Sequence, residues 1–331
     1  TDHLGEVTQT LVTPRRTAAP GGASQVRDCS SSPGAHAGAS RTQRRRMASG
    51  ATATEEHGRP IVAWATDAHG ICEVRLQRQH ARNAVHDAAY EGWMEALRAA
   101  EADSAVKVVL LTGEGKFFCT GADLEAGFDP SVGPLKSRHG SLHDPVGRFM
   151  SAVIRFPKPI VAAVNGPAVG VGCTVLPHCD IVIAADSTYF WCPFTDLCVT
   201  PEFCSSVTFP EILGPSLANE LLLFGARMSP SQALAAGFVS AVLPAGDDFV
   251  DKVKARLKPA LAAHNAGRSL QLFKRLQKDD AHIARMEGIH RREMALLDLR
   301  CIGPDSESKQ ALSQRFAAAK AKAAAKTKAK L

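Results

Sequence analysis

Apolar and polar residues alternate with period two over 60–66 and again over 71–76, with a Gly-containing turn at 67–70 between them, which predicts a β-hairpin. The period then lengthens, and Tyr90, Trp93, Met94 and Leu97 fall on one face of a helix over 87–100. Residues 106–112 are a continuous apolar run suited to a strand buried on both faces. Asp144 and Pro145 supply an N-cap and a first helical position for a helix ending near Phe156, and 159–164 is a second buried strand. The glycine-rich stretch 165–172 leads into a short helix and a strand over 180–185. Strands alternating with helices imply an α/β architecture. Beyond Pro201 strand signals nearly vanish, and helices fit 218–224, 229–236 with Gly237 as the stop, 247–263, 267–278 and 281–297.

The two ends break this pattern. Residues 1–58 are rich in Ser, Thr, Ala, Gly and Arg without apolar periodicity, a composition that buries too little surface to offset chain entropy, so a disordered extension is expected. The first methionine, Met47, is read as the natural start, and an organelle transit peptide is the alternative reading of the Arg-rich segment before it. Residues 304–331 have good helix propensity but no apolar stripe and are expected to be solvated. Four units follow: 1–58, an α/β core over 59–214, a helical region over 215–303, and the tail. The loop over 113–141 is too long for a mere connection and is a candidate active-site wall.

An apolar fraction of 45% with 22% charged residues is that of a globular enzyme rather than a disordered or fibrous chain. No apolar run approaches the roughly 20 residues of a membrane span. Much of the net charge of +6 lies in the two ends, and aromatics make up only 6%, which leaves no basic, aromatic-interleaved face for nucleic acid. The nine cysteines are odd in number and contain no C-x-x-C pair, so neither a disulfide framework nor a zinc site is suggested. The histidines likewise show no metal-ligand spacing, and no metal is expected.

Candidate chemistry gathers in two glycine-bearing turns after buried strands, 113–124 and 165–172. Glycine lets backbone N–H groups approach a ligand, and a turn that opens a helix leaves its first N–H groups without internal partners. Two such donors aimed at one point would form an oxyanion hole. Packing alone also places glycine in strand-to-helix turns, so neither turn is decisive by itself.

Residues 106–124, 157–166 and 226–237 together resemble the enoyl-CoA hydratase/isomerase, or crotonase, family, and the resemblance extends from about residue 59 to 303. It implies a spiral of β-β-α repeats followed by a helical trimerisation region, with the acyl-CoA thioester oxygen held by the N–H groups of Ala122 and Val171, Gly170 being the neighbour of the latter. It also implies that coenzyme A, part of the substrate rather than a separate cofactor, passes Arg82, Asn83 and Ala84 and the stretch Thr120, Gly121, Ala122, Asp123 and Leu124. Lys274 and Lys278 are further candidates for its phosphates. At the positions of the two hydratase glutamates stand Thr174 and Phe194, so water cannot be activated for addition in the family's manner. The stretch 193–206 is instead similar to peroxisomal Δ3,Δ2-enoyl-CoA isomerases, whose single glutamate corresponds to Glu202. Phe203 replaces the glycine that follows it there and is expected, with Phe194 and Leu197, to line the acyl pocket. Asp196 is a weaker candidate for a second acid.

The resemblance therefore points to a Δ3,Δ2-enoyl-CoA isomerase of fatty-acid β-oxidation, assembled as a homotrimer or dimer of trimers. The alternatives are a dienoyl-CoA isomerase, a thioester hydrolase, or a non-catalytic acyl-CoA-binding protein. The final Ala329, Lys330 and Leu331 resemble the tripeptide address read by the peroxisomal import receptor, which makes the peroxisome the expected location and the mitochondrion the alternative.

Overall fold

The computed structural model describes residues 49–51, 55–123 and 143–302, with positions 310 and 314. Strands β1 (Ser49–Ala51), β4 (Val62–Thr66), β5 (Ile71–Leu76), β6 (Val108–Gly113), β7 (Ile160–Val164), β9 (Ile181–Ala185) and β12 (Ala241–Leu243) form one seven-stranded sheet in that order. Its centre from β5 to β12 is parallel, and β4 and β1 continue it antiparallel at one edge. Strands β8 (Ala168–Val169), β10 (Phe190–Trp191) and β11 (Arg227–Met228) make a second, three-stranded sheet, and β2 (Glu55–Glu56) pairs with β3 (Arg59–Pro60) in a small hairpin. The helices are α1 (Asp87–Ala102), α2 (Pro145–Arg155), α3 (Val171–Thr174), α4 (Ser205–Leu213), α5 (Pro215–Leu222), α6 (Pro230–Ala235), α7 (Phe249–Leu261), α8 (Ala266–Gln277) and α9 (Asp280–Ile302).

The predicted hairpin is present as β4 and β5, with Val62 opposite Leu76 and Thr66 opposite Cys72. The Asp67 carboxylate fixes its turn by accepting the N–H groups of His69 and Ile71 at 2.9 and 3.0 Å. Both faces of the parallel strands are covered, as their unbroken apolar runs predict. Val109, Leu111, Ile160 and Ala162 face a large core shared with Trp93 and Leu97 of α1, and Phe149 of α2. Their neighbours Val108, Leu110, Val161 and Ala163 face a smaller core closed by Phe249 and Val253 of α7.

Three expectations change. Order begins before residue 59, because β1 adds to the antiparallel edge of the main sheet and β2 folds back on β3, pairings that no local apolar pattern announces. Helix α4 is absent from the predicted set, since its Ser/Thr-rich start and internal Pro210 disguise it. β12 also escapes detection, being three residues long and defined only by its parallel pairing with β9. Residues 1–48, 124–142 and 315–331, and with them Met47, Leu124, most of the long loop and the terminal tripeptide, lie outside the described residues. No helix among the described residues is long and apolar enough to cross a membrane.

The helical region is tied to the sheet by ion pairs with buried members. Asp180, at the entrance to β9, receives Lys274 and Lys278, each at 2.9 Å, and accepts the Ile160 N–H at 2.8 Å. Lys274 donates also to Lys158 O and Lys278 to His178 O, so neither lysine is placed as a ligand for coenzyme A phosphates. Burial would raise the Asp180 carboxyl, but the two lysines outweigh it and hold the folded-state value below the ordinary one. The depressed value makes this contribution to stability fully present above the unfolded-state pKa and lost as pH falls through the folded one. Asp180→Asn should accordingly cost about 1–3 kcal/mol at neutral pH, and less in acid, in urea unfolding followed by circular dichroism. An equal loss at pH 3 and pH 7 would contradict the assignment.

Candidate active site

Two backbone turns meet at the edge of the small sheet. In the first, Cys119 bridges to Ala168 of β8, donating its N–H to Pro167 O at 3.3 Å and accepting the Val169 N–H at 2.9 Å. Gly121 follows with φ +87°, and its N–H points to Cys119 Sγ at 3.4 Å. Its carbonyl accepts the Val85 N–H, and the Val85 carbonyl accepts the Asp123 N–H, both at 2.8 Å. These bonds bracket Ala122, so in this parallel pairing the N–H of Ala122 itself is turned away from Val85. Among the described residues none accepts it.

The second turn closes against the first. Gly170, at φ +53°, donates its N–H to Trp191 O at 2.9 Å, while its carbonyl accepts the Cys173 and Thr174 N–H groups. Val171 is the first residue of α3, where an N–H has no carbonyl within its own helix to reach, and no described residue takes it. Gly170 is therefore not an oxyanion donor, because its N–H is already engaged; it supplies the left-handed bend that frees Val171. A Cβ on Gly121 would stand 3.1 Å from Val169 O, and one on Gly172 2.6 Å from Cys119 O. The turns touch through bare backbone.

Glu202 enters from the segment ahead of α4. Its residue is partly open to solvent, yet dense protein surrounds the carboxyl, which accepts no hydrogen bond from a described residue. Burial first, and the Glu293 charge second, push it up to about 7. The Glu202 charge in turn adds to the effect of burial in raising Tyr90 of α1, Cys119 of the first turn and Cys192, so the carboxyl shares one interior with the first glycine turn.

Phe203 does not line an open acyl pocket. It is fully buried, stacked on His178 at 4.3 Å and edge-on to Phe149 at 6.0 Å, because the backbone turns its ring inward. Phe203 and Cys204 both adopt left-handed conformations, φ +55° and +62°, each costing about 1–3 kcal/mol for a residue with a side chain. A glycine would take the first without strain, which is the physical content of the departure noted in the sequence. His178, which burial lowers to about 3, is neutral and donates Nε2–H to Phe203 O at 2.8 Å. Phe194 is buried in the main core and Leu197 is half-buried.

Among the coenzyme A candidates, Arg82 is exposed over the Phe117 ring at 5.8 Å, and its carbonyl accepts the Thr120 hydroxyl at 3.1 Å. Asn83 is fully buried and is a tie rather than a ligand: it accepts the Arg78 N–H and donates to Glu114 O and Phe117 O. Ala84 O and the Asp123 carboxylate are both taken by the Arg78 guanidinium, the latter at 2.8 Å. Leu124 lies outside the described residues. Thr174 is buried with no carboxylate, and Asp196 is exposed on a short turn.

Sequence reasoning missed the residues that brace these turns. Arg78, only 2% exposed, joins Glu56, Asp123 and Ala84 O. Asn165 accepts the Gly113 N–H at 3.1 Å and donates to Gly115 O at 2.8 Å, fixing the start of the first turn. Glu293 accepts the N–H groups of Cys204 and Ser206. Nothing in the local spacing of Arg78 or Glu293 marks them; Asn165 lay within a turn that was singled out for its glycines. Glu56, His57 and His80 also gather with ligand-type atoms within 4.8 Å of one another, a grouping the sequence spacing hid, although Glu56 is already held by Arg78.

A model of the enoyl-CoA hydratase/isomerase family matches residues 66–298. The chain is 35% identical over 224 residues to enoyl-CoA delta isomerase 2 of Homo sapiens, covering 67% of this chain and 56% of that protein. It is 37% identical over 193 residues to enoyl-CoA delta isomerase 3, peroxisomal, of Mus musculus, covering 58% and 60%. The match thus spans somewhat over half the length of these relatives. The structure of Pseudomonas aeruginosa OdaA superposes with a TM-score of 0.69 at 36% identity, over 77% of this chain and 98% of that one.

Proposed function

The chain belongs to the enoyl-CoA hydratase/isomerase family, with the crotonase fold of its relatives, and we propose that it handles acyl-CoA as a Δ3,Δ2-enoyl-CoA isomerase with Glu202 as its sole acid–base group. The observation that carries this reading is the Glu202 carboxyl, held up to about 7 chiefly by burial, in the same interior as a turn whose Ala122 N–H no described residue accepts. The thioester oxygen of a 3-enoyl-CoA accepts hydrogen bonds from the Ala122 and Val171 N–H groups, which acidifies C2–H. Glu202 takes that proton, the dienolate charge rests on the oxygen, and the same carboxyl returns the proton to C4 to give the trans-2-enoyl product. One proton leaves and one arrives, so no second acid is needed. The positions of both hydratase glutamates hold Thr174 and Phe194, so the pair of carboxylates that activates water in the family's hydratases is lacking. A peroxisomal setting accords with the name of the Mus musculus relative, and a role in β-oxidation and a trimeric assembly belong to the same proposal.

Purified protein given trans-3-hexenoyl-CoA should form the conjugated 2-enoyl thioester, read by its ultraviolet absorbance, and should leave crotonyl-CoA unhydrated. Because Glu202 acts first as a base, kcat/KM should rise with pH through about 7 and level off above it. Rapid hydration of crotonyl-CoA, or a limb near 4.5, would refute the assignment.

A further inference from the structure

The C-terminal half of the chain reaches into this site through one side chain. Glu293 of α9 is 5% exposed, and its carboxylate accepts the Cys204 N–H at 2.6 Å and the Ser206 N–H at 3.0 Å. One donor is the second of the two consecutive left-handed residues after Glu202 and the other lies in the first turn of α4, so this turn aims two backbone N–H groups at one anion while the Ser205 N–H between them goes to Glu202 O. Cys204 adds a second tie to the same helix, its thiol donating to Met286 O at 3.2 Å. On the other flank, Ser205 Oγ donates to Glu202 O at 2.6 Å.

We propose that Glu293 is a positioning residue for Glu202, its carboxylate holding the Phe203–Cys204 turn in the left-handed shape that sets the Glu202 carboxyl in the interior it shares with the first glycine turn. The proposal rests on the isomerase reading for its kinetic consequence but not for its structural one. Glu293 anchors the turn from a different element, so the turn keeps its shape without glycine at 203.

The same contact couples the two carboxyls electrically. Burial raises the Glu293 carboxyl, and its Ser206 and Cys204 donors oppose that by favouring the ionised form; Glu202, raised first by burial and then by the Glu293 charge, has no such donor among the described residues. Around Glu202 the other titratable groups are Tyr90 from α1, Cys119 from the first turn and Cys192 after β10; around Glu293 they are Arg292 on its own helix and Cys204. Also on α9, Arg285 is paired with Glu211, and His290 faces Gly147 O.

The test compares the full chain with Glu293→Gln and Glu293→Asp. The amide keeps the volume, loses the charge and can accept at one oxygen only. In Glu293→Gln, kcat on trans-3-hexenoyl-CoA should fall about tenfold or more through misplacement of the base. The Glu202 titration, read by carboxyl-carbon NMR with Glu202→Gln assigning the signal, should move downward relative to the parent protein, because the Glu293 charge that helps raise it is gone. Glu293→Asp keeps the charge on a shorter arm and should lower kcat while leaving the titration near 7. The NMR readout needs no activity, so an inert parent protein would sink the isomerase reading and still leave this proposal decided. An unmoved Glu202 titration in a folded Glu293→Gln protein overturns it. Should that variant not fold, an unchanged kcat in Glu293→Asp, or in an inert protein an unchanged melting temperature, overturns it instead.

Discussion

Glu202→Gln should fold, bind acyl-CoA with near-parental affinity, and isomerise trans-3-hexenoyl-CoA at least about a hundredfold more slowly than the parent, the contribution expected of a positioned general base. The amide occupies the same volume but cannot take the C2 proton. Among the described residues the nearby carboxylates are engaged elsewhere: Glu293 has its oxygens on the Cys204 and Ser206 N–H groups, and Asp123 is paired with Arg78. The loss should fall on kcat with KM nearly unchanged, since the carboxylate acts in the transition state. Stopped-flow absorbance at saturating substrate measures this, and a loss under about a hundredfold would exclude Glu202 as sole base.

The second large effect should come from a residue with no side chain. A methyl group on Gly172 would lie 2.6 Å from Cys119 O and 2.7 Å from Cys119 Cβ, closer than real contacts allow. Cys119 cannot yield easily, because its N–H and carbonyl are bonded to Pro167 and Val169 and its side chain is wholly buried. Gly172→Ala must therefore push the second turn away from the first and separate the Ala122 and Val171 N–H groups. Losing one oxyanion donor costs about a hundred- to a thousandfold in kcat, and a comparable fall is expected here. Steady-state kinetics alongside thermal unfolding check it; unchanged kcat in a folded variant would mean that the turns do not act together.

How far the sequence carries depends on whether the cause is local. The β4–β5 hairpin, α1 and the buried strands β6 and β7 are legible because their periodicity and turn residues act within a few positions. Glu202, Ala122 and Val171 are reached through family resemblance, since neither a glycine turn nor a lone glutamate is decisive by itself. Three roles are altered by the structure for reasons that no motif contains. Gly170 gives its N–H to Trp191, Asn83 is enclosed by Arg78, Glu114 and Phe117, and Phe203 turns into the core against His178. Arg78 and Glu293 stay hidden because their partners are distant in the chain, and β1 and β12 because pairing alone defines them.

The contact between Glu293 and Cys204 closes a span of 89 residues. A chain emerging from its N-terminus presents the Phe203–Cys204 turn long before its anion exists, and contacts of such separation are slow to form because loop closure precedes any gain. The sheet and α1 can take shape from nearer neighbours, whereas the geometry of the acid–base group is completed only when the last long helix docks. The anion of this turn thus comes from a part of the chain made long after the turn itself.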